Sequence, residues 1–191
     1  MTAVHVGIIA EDQSDIEVLK ELGRKISGRN FSVSQHYGKG CGSIKTKTPG
    51  WCKAFGEKGC KAVVLVHDRD DKDADQLRQD LEAILAASVM KKCYVTIPTE
   101  ELEAWLLSDM PAIKRALNLE KEPKDIHHPE TVPSPKEHLG NLVTSHSKNK
   151  SKYYVNTEHN GLIAKEIAIS AIELKCPSFA HFKTFIETEI G

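Results

Sequence analysis

The pattern of apolar and polar positions alternates between short apolar runs and longer stretches with helical spacing. Two runs rich in β-branched residues, Val4–Ala10 and Ala62–Val66, stop at acidic residues and predict buried strands. A third strand is predicted at residues 92–97, and a fourth, shorter one at residues 31–36. The segments between these strands place apolar residues at helical spacing, which predicts helices at 14–25, 74–89 and 100–108. Strands that alternate with helices indicate an α/β domain with a mostly parallel sheet flanked by helices.

The second half of the chain has a different texture. Five of the eight prolines fall between residues 110 and 135, which limits that segment to short helices and turns. Helical spacing returns at residues 162–174 and again at 179–190. We therefore expect an α/β core over residues 1–110, followed by a Pro-rich connection and a mainly helical extension over residues 111–191. We expect the extension to pack on the core as part of one structural unit.

Composition excludes several classes of protein. The chain has 191 residues, 40% of them hydrophobic, and a formal net charge of −1. These values exclude a disordered chain, and the near-neutral charge excludes a uniformly basic protein that coats nucleic acid. No apolar run approaches the roughly 20 residues that span a bilayer, and the start lacks the layout of a secretion signal. The five cysteines, an odd number, favour reduced thiols. We expect a cytoplasmic protein with no membrane partner.

Acidic residues follow three of the predicted strands. In chain order they are Glu11, then Asp68 and Asp70, then Glu101 and Glu103. Ligands of open parallel sheets bind outside the carboxyl ends of the strands, so these side chains are expected to meet there. Carboxylates gathered in one place repel one another unless a hard divalent cation holds them. The pattern therefore predicts a site for Mg²⁺ or Mn²⁺, with one or two ions, of the kind that serves phosphoryl chemistry.

Spacing sharpens the prediction at two positions. Asp68 and Asp70 are two residues apart on a segment expected to be extended, so their side chains should point the same way. Asp15 lies four residues after Glu11 and shares a face with it if the helix starts nearby.

Helix capping is the alternative explanation for each acidic segment. Residues 68–75 could form a solvated loop that caps the next helix, because acids favour helix N-termini. Ser14 could be an N-cap with Glu17 as its partner in a capping box. Capping is a weaker explanation for three strand ends that all carry acids.

Several short motifs follow one another along the chain. They are the opening Glu11-Asp12-Gln13-Ser14-Asp15, the pair in Asp68-Arg69-Asp70, the block Glu-Leu-Glu-Ala-Trp-Leu-Leu at 101–107, Pro135-Lys136, and Cys-Pro-Ser-Phe at 176–179. This order resembles the TOPRIM domain of topoisomerases, primases and OLD-family nucleases. In more detail it is similar to a family of small stand-alone TOPRIM-like proteins of unknown function related to the OLD nucleases. One departure is Asp12, where that family carries glycine.

The resemblance implies a TOPRIM-like fold and a metal-dependent nuclease acting on DNA or RNA. The metal ligands that it implies are Glu11, Asp15, Asp68, Asp70 and Glu103, to which the pattern at the strand ends adds Glu101. The catalytic residues expected are Glu11, Asp68, Asp70, Glu103 and Lys136. Lys136 would stabilise negative charge that develops on the phosphate, and Glu11 is the candidate general acid or base.

The resemblance also implies partners. Related TOPRIM nucleases often work with an ABC-type ATPase in bacterial anti-phage defence, so a separate ATPase chain is an expected partner beside the nucleic acid. Assembly into a homo-oligomer stays open.

Basic residues gather in two places. Segment 38–61 mixes lysines and glycines with Trp51 and Phe55, which is typical of a flexible loop that contacts phosphates and equally of a solvated surface loop. A second basic group surrounds residue 150 and is followed by Tyr153 and Tyr154. The candidate nucleic-acid contacts are Lys39, Lys45, Lys47, Lys53, Lys148, Lys150 and Lys152.

Two rival functions stay open. One is a non-catalytic binding or regulatory subunit of an ATPase complex that keeps the fold, and Asp12 is the residue that favours it. The other is a receiver-like domain phosphorylated on a single aspartate, which gives the acids at 101–103 no role. Trp105 is expected in the core rather than stacked on a base, whereas His67 could face either the site or the core.

Overall fold

The computed structural model describes residues 4–38, 41–70, 72–148 and 153–190, with the backbone alone at residue 41. Within these ranges, four strands form one parallel sheet in the order β2-β1-β3-β4. The strands are β1 (Val4–Ala10), β2 (Phe31–Tyr37), β3 (Ala62–Val66) and β4 (Cys93–Thr96). No helix in the described ranges has both the length and the apolar character needed to cross a membrane.

Helices follow each strand and continue to the end of the chain. The first three are α1 (Gln13–Ser27), α2 (Cys41–Glu57) and α3 (Ala74–Ala86). After β4 come α4 (Glu103–Leu106), α5 (Met110–Leu117), α6 (Pro135–His146), α7 (Asn156–Glu166), α8 (Ile169–Lys175) and α9 (Phe179–Phe185). A short 3₁₀ turn at Pro129–Thr131 precedes α6, and a π-helical turn at Ile186–Ile190 follows α9. The predicted α/β class, with a parallel sheet and a mainly helical extension, is confirmed.

Different helices cover the two faces of the sheet. On one face, Val6 and Ile8 of β1 share a buried apolar cluster with α1 and with residues of the extension such as Ile163, Ile172 and Phe179. On the other face, Ile9 of β1 packs with Val63 and Leu65 of β3 against α2 and α3. The extension therefore contributes to the same core as the sheet, because its described buried apolar residues belong to the cluster that contains β1 and α1.

Residues 41–57 form helix α2, so the flexible loop predicted for segment 38–61 is wrong over most of its length. Ile44, Thr48, Cys52 and Phe55 are fully buried and recur at intervals of four, four and three residues, which places them on one helix face. The intervening glycines and lysines hid this spacing in the sequence. The hydroxyl of Thr48 donates to the carbonyl of Ile44 at 2.8 Å.

Gly7 of β1 lies directly against the ring of Phe55 in α2. A Cβ at this residue would lie 2.4 Å from a ring carbon of Phe55, so only glycine leaves room for the aromatic ring. This contact packs the end of α2 directly against the middle of β1.

Two predicted helices are shorter or divided in the structure. The helix predicted at 100–108 is the single turn α4, which starts only after Glu100 with its positive φ of 61°. The helix predicted over 162–174 divides into α7 and α8 between Glu166 and Ile169. At the division, the amide of Ala168 donates to the carboxylate of Asp109 at 3.1 Å instead of continuing the helix.

Candidate metal centre

Four carboxylates gather at the carboxyl edge of the sheet, where their charges contribute to the raised pKa values of Asp15 and Asp68. We call Glu11, Asp15, Asp68 and Glu103 the inner acidic cluster. Asp15 lies in the first turn of α1, and its side chain is buried, with the residue 6% exposed. Burial raises the pKa of Asp15 to about 8, and the charges of Glu103, Asp12 and Glu11 contribute to the rise. An isolated surface aspartate has no reason to show such a shift.

Asp68 follows β3 and belongs to the same cluster. Burial raises the pKa of its carboxyl well above the ordinary value, and the charges of Asp15, Glu103 and Glu11 raise it further. The amide of Leu102 donates to Asp68 Oδ1 at 3.1 Å and acts in the opposite direction. The loop after β4 therefore holds the Asp68 carboxylate at the edge of the sheet.

Glu103 opens helix α4 and is the most deeply buried carboxylate of the cluster, with the residue 3% exposed. Burial raises its pKa. The Nδ2 of Asn160 donates to Glu103 Oε1 at 3.0 Å and opposes the rise, as does the positive charge of Lys136. The charge of Lys136 thus acts on Glu103, whereas its predicted place beside the reacting phosphate stays a prediction.

Asp12 is the N-cap of α1 and forms a capping box with Asp15. Its Oδ1 accepts from the amide of Ser14 at 2.9 Å, and its own amide donates to Asp15 Oδ2 at 3.2 Å. The capping box expected from Ser14 and Glu17 is therefore wrong, since the helix begins earlier. Asp15 takes part in the cap and in the inner acidic cluster at once, so capping and clustering are not exclusive here.

His67 lies beside Glu11 and is fully shielded from solvent. Its Nδ1 is 2.7 Å from the carbonyl oxygen of Asp68 and 3.4 Å from Glu11 Oε2. Its Nε2 is buried without a hydrogen-bond partner among the described residues. The sequence left open whether His67 faces the site or the core. In the structure, the Nδ1 edge of its ring faces the site.

Asp70, Glu100 and Glu101 form a second, more exposed group that we call the outer acidic rim. Together with Pro133 they line a cleft of about 160 Å³. Asp70 has a positive φ of 48° and its carboxylate pairs with Lys72 at 2.6 Å. Glu100 also has a positive φ, and it pairs with Arg69. Non-glycine residues in this conformation are uncommon and cluster at functional sites.

The expectation that Asp68 and Asp70 point the same way rested on an extended backbone, and that basis is wrong. The strand ends at Val66, and Asp70 adopts the left-handed conformation. The two carboxylates consequently have different neighbours: Asp68 faces the inner acidic cluster, whereas Asp70 pairs with Lys72 in the outer acidic rim.

Glu101 contacts the residue that follows Pro135. Its Oε2 accepts a hydrogen bond from the backbone amide of Lys136 at 2.8 Å, at the start of α6. Free amides at helix N-termini are stabilised by such carboxylates. Glu101 therefore ties the loop after β4 to α6 and sets where the backbone of Lys136 lies.

The residues of the inner acidic cluster fit a divalent cation in their chemistry. No lysine or arginine in the described part of the chain forms an ion pair with Asp15, Asp68 or Glu103. Buried carboxylates without a counter-charge are unfavourable, and oxygen ligands of this kind suit Mg²⁺ or Mn²⁺. However, no three His, Cys, Asp or Glu side chains among the described residues form a ready ligand set. Binding of an ion would have to rearrange these side chains.

The predicted nucleic-acid lysines do not form one surface on α2. Lys45 pairs with Asp80 of α3 at 3.0 Å, whereas Lys47 and Lys53 are exposed on other sides of the helix. Lys148 is exposed at the end of α6. Lys39, Lys150 and Lys152 lie outside the described residues.

Sequence reasoning missed Asn160, Tyr154 and Asn156, although all three contact the site. Asn160 and Asn156 lie on the buried face of α7, where Ile163 and Ala164 follow at helical spacing. A polar residue within an apolar helical stripe is the signal that was available. Trp105 was assigned correctly to the core: it is fully buried, and its Nε1 donates to Ser178 Oγ at 2.8 Å.

Comparisons with known proteins give a family and one distant structural similarity. Residues 10–187 match the family described as "Domain of unknown function (DUF4276)". The chain is similar to the solved C-terminal region of the OLD protein of Burkholderia pseudomallei, with 12% identity, a TM-score of 0.47, and coverage of 95% of this chain and 98% of that chain. No curated protein matches the sequence. None of these findings gives a role to a particular residue.

Proposed function

The chain belongs to the DUF4276 family of domains of unknown function, and we propose that it is a divalent-metal-dependent nuclease. In this proposal it hydrolyses phosphodiester bonds of DNA or RNA with Mg²⁺ or Mn²⁺, bound as one or two ions. The observation that carries the proposal is the inner acidic cluster. Asp15 and Glu103 are buried and Asp68 is half-buried. All three have raised pKa values and, among the described residues, form no ion pair with a lysine or arginine.

The chain's own residues have distinct tasks in this proposal. Glu11, Asp15, Asp68 and Glu103 would hold the cation, and the outer acidic rim with Asp70 and Glu101 would extend the ligand set. A bound divalent cation would neutralise phosphate charge and lower the pKa of the attacking water. The ammonium of Lys136, near Glu103, would stabilise the negative charge that develops on the phosphate.

Glu11 is the proposed general acid or base, and His67 orients it. Glu11 is partly exposed, whereas the imidazole beside it at 3.4 Å is buried and anchored to the carbonyl of Asp68. A partly exposed carboxylate can exchange protons with water, which the buried Glu103 does less readily.

Partners and location remain part of the proposal. Exposed lysines on α2 and at the end of α6, such as Lys53 and Lys148, are available to a phosphate backbone. The four cysteines described as free thiols suit a reducing compartment, and we propose a cytoplasmic protein. We also propose that it acts in anti-phage defence with a separate ABC-type ATPase, which rests on the resemblance alone.

The test combines Mn²⁺ binding with cleavage. Calorimetric titration with Mn²⁺ is expected to show saturable binding, and with Mn²⁺ the protein is expected to cut plasmid DNA, single-stranded DNA or tRNA. Glu11→Gln should lower the cleavage rate at least about 100-fold. The matched control is Glu57→Gln, which makes the same change at an exposed position of α2. Equal cleavage by Glu11→Gln and the unchanged protein would contradict the proposal.

A non-catalytic binding or regulatory subunit is the second candidate. It is favoured by the lack of a ready ligand set among the described residues and by the use of Asp12 as a helix cap. This candidate predicts no saturable Mn²⁺ binding in the same titration.

A further inference from the structure

Helix α7 of the extension lies directly against the inner acidic cluster. It packs against α1, α4 and α5. Two asparagines one helical turn apart contact the core, one at the start of α1 and one at Glu103 of the cluster. Asn156 Nδ2 donates to Ser14 Oγ at 3.1 Å and lies 3.4 Å from Asp12 Oδ2, while Asn160 Nδ2 donates to Glu103 Oε1 at 3.0 Å. One helix therefore bonds to the start of α1 and to the start of α4.

Asn160 is fully buried, and both ends of its amide are engaged. Its Nδ2 donates to Glu103, and its Oδ1 accepts from the hydroxyl of Tyr154. Burial raises the pKa of Tyr154, so its phenol stays protonated and can donate. Because Glu103 accepts and Tyr154 donates, the amide can take only one orientation. A buried amide fixed at both ends is a rigid support.

We infer that Asn160, held by Tyr154, is a positioning residue that presents Glu103 to the cation, an inference that rests on the proposed function. Glu103 lies among other carboxylates that repel it, and the hydrogen bond to Oε1 keeps its carboxylate in the cluster in a single orientation. Residues that orient a metal ligand typically change metal affinity 10- to 100-fold when they are replaced. The C-terminal extension thereby completes a site whose carboxylates all come from the α/β core and α4.

The first measurement needs no metal and tests the contact itself. Asn160→Leu leaves buried Glu103 without its donor and should lower the melting temperature by about 3–8 °C. In a Glu103→Met background the same substitution should cost less than half as much, because both partners are then apolar. Equal shifts in both backgrounds would show that Asn160 does not hold Glu103 and would overturn the inference.

The second measurement is calorimetric titration with Mn²⁺. Asn160→Leu should weaken Mn²⁺ binding about 10- to 100-fold. Tyr154→Phe, a milder change that leaves Asn160 in place, should weaken it a few-fold. Thr157→Val, on the exposed side of α7, is the control and should bind as the unchanged protein does.

The outcomes separate this inference from the proposed function. If the unchanged protein binds Mn²⁺ and folded Asn160→Leu and Tyr154→Phe bind it equally tightly, the inference fails while the proposed function stands. If the unchanged protein binds no Mn²⁺ although the two melting shifts differ as expected, the proposed function fails. Asn160 is then a structural partner of Glu103, and its role toward a cation is overturned as well.

Discussion

The inner acidic cluster and the outer acidic rim contain the same kinds of residue, and Asp68 and Glu103 each lie two positions from a residue of the rim, yet the surroundings of the two groups differ. Asp68 is held by the amide of Leu102 among other carboxylates, whereas Asp70 pairs with Lys72. Glu103 is buried beside Asn160, whereas Glu101 bonds to a backbone amide near the surface. Among the described residues, Asp15, Asp68 and Glu103 of the cluster form no ion pair with a lysine or arginine, and their raised pKa values disfavour the ionised form. In the rim, Asp70 and Glu100 are paired with Lys72 and Arg69.

The difference indicates which of the two groups would bind a cation more strongly. An ion entering the inner acidic cluster removes repulsion between buried carboxylates, which is worth more than displacing water or lysine from an exposed one. The structure thus ranks the candidate ligands, although all of them follow strand ends in the sequence.

The largest contrast is expected between Asp68→Asn and Asp70→Asn. Asparagine at 68 keeps the acceptor for the Leu102 amide but removes the charge, so Mn²⁺ affinity should fall by about 100-fold or more. Asp70→Asn should cost at least tenfold less, because that carboxylate is already paired with Lys72. Calorimetric titration of both variants measures the ratio. Equal losses would show that the rim and the cluster are one site.

A second contrast concerns two lysines. Lys136 lies near Glu103, and Lys136→Ala should lower kcat about 100-fold with little change in KM, since it removes charge stabilisation at the reacting phosphate. Lys53→Ala, on the exposed side of α2, should leave kcat unchanged and reduce the salt dependence of nucleic-acid binding by about one unit of slope. Cleavage kinetics at several salt concentrations distinguish them. A kcat unaffected by Lys136→Ala would remove this residue from the mechanism.

The smallest effect tests Glu101. If it serves chiefly as the acceptor for the Lys136 amide, Glu101→Ala should destabilise the protein by about 1 kcal/mol, and Glu101→Gln by much less, because glutamine keeps an acceptor oxygen. Urea unfolding of the two variants compares them. A Mn²⁺ affinity lowered equally in both variants would show that Glu101 also acts as the metal ligand proposed above.

The strands and the acids at their ends were predictable because each depends on local pattern. Val4–Ala10 and Ala62–Val66 are strands with the bounds that their apolar runs predict. Helix α2 was not predictable in the same way, because glycines and Pro49 outweighed the spacing of its four buried residues, and their partners on β1 and β3 lie far away in sequence.

The residue types of the candidate site were predictable from the sequence, but the surroundings of each side chain were not. Nothing near Asp68 in the sequence shows that Leu102 holds its carboxylate, or that Asp70 turns to Lys72. Asn160 lies 57 positions from Glu103, so only the fold brings the two together. Contacts of this kind come from tertiary packing, which a local pattern does not contain.

The apolar cluster shared by the sheet and the extension also determines what cleavage of the chain would do. A break between α5 and α6 would leave two pieces, each exposing part of the same core. The pieces would behave as subunits of an obligate heterodimer, whose folding depends on concentration. Asn160 would then reach Glu103 only when the halves meet, and assembly of the candidate site would become a bimolecular event.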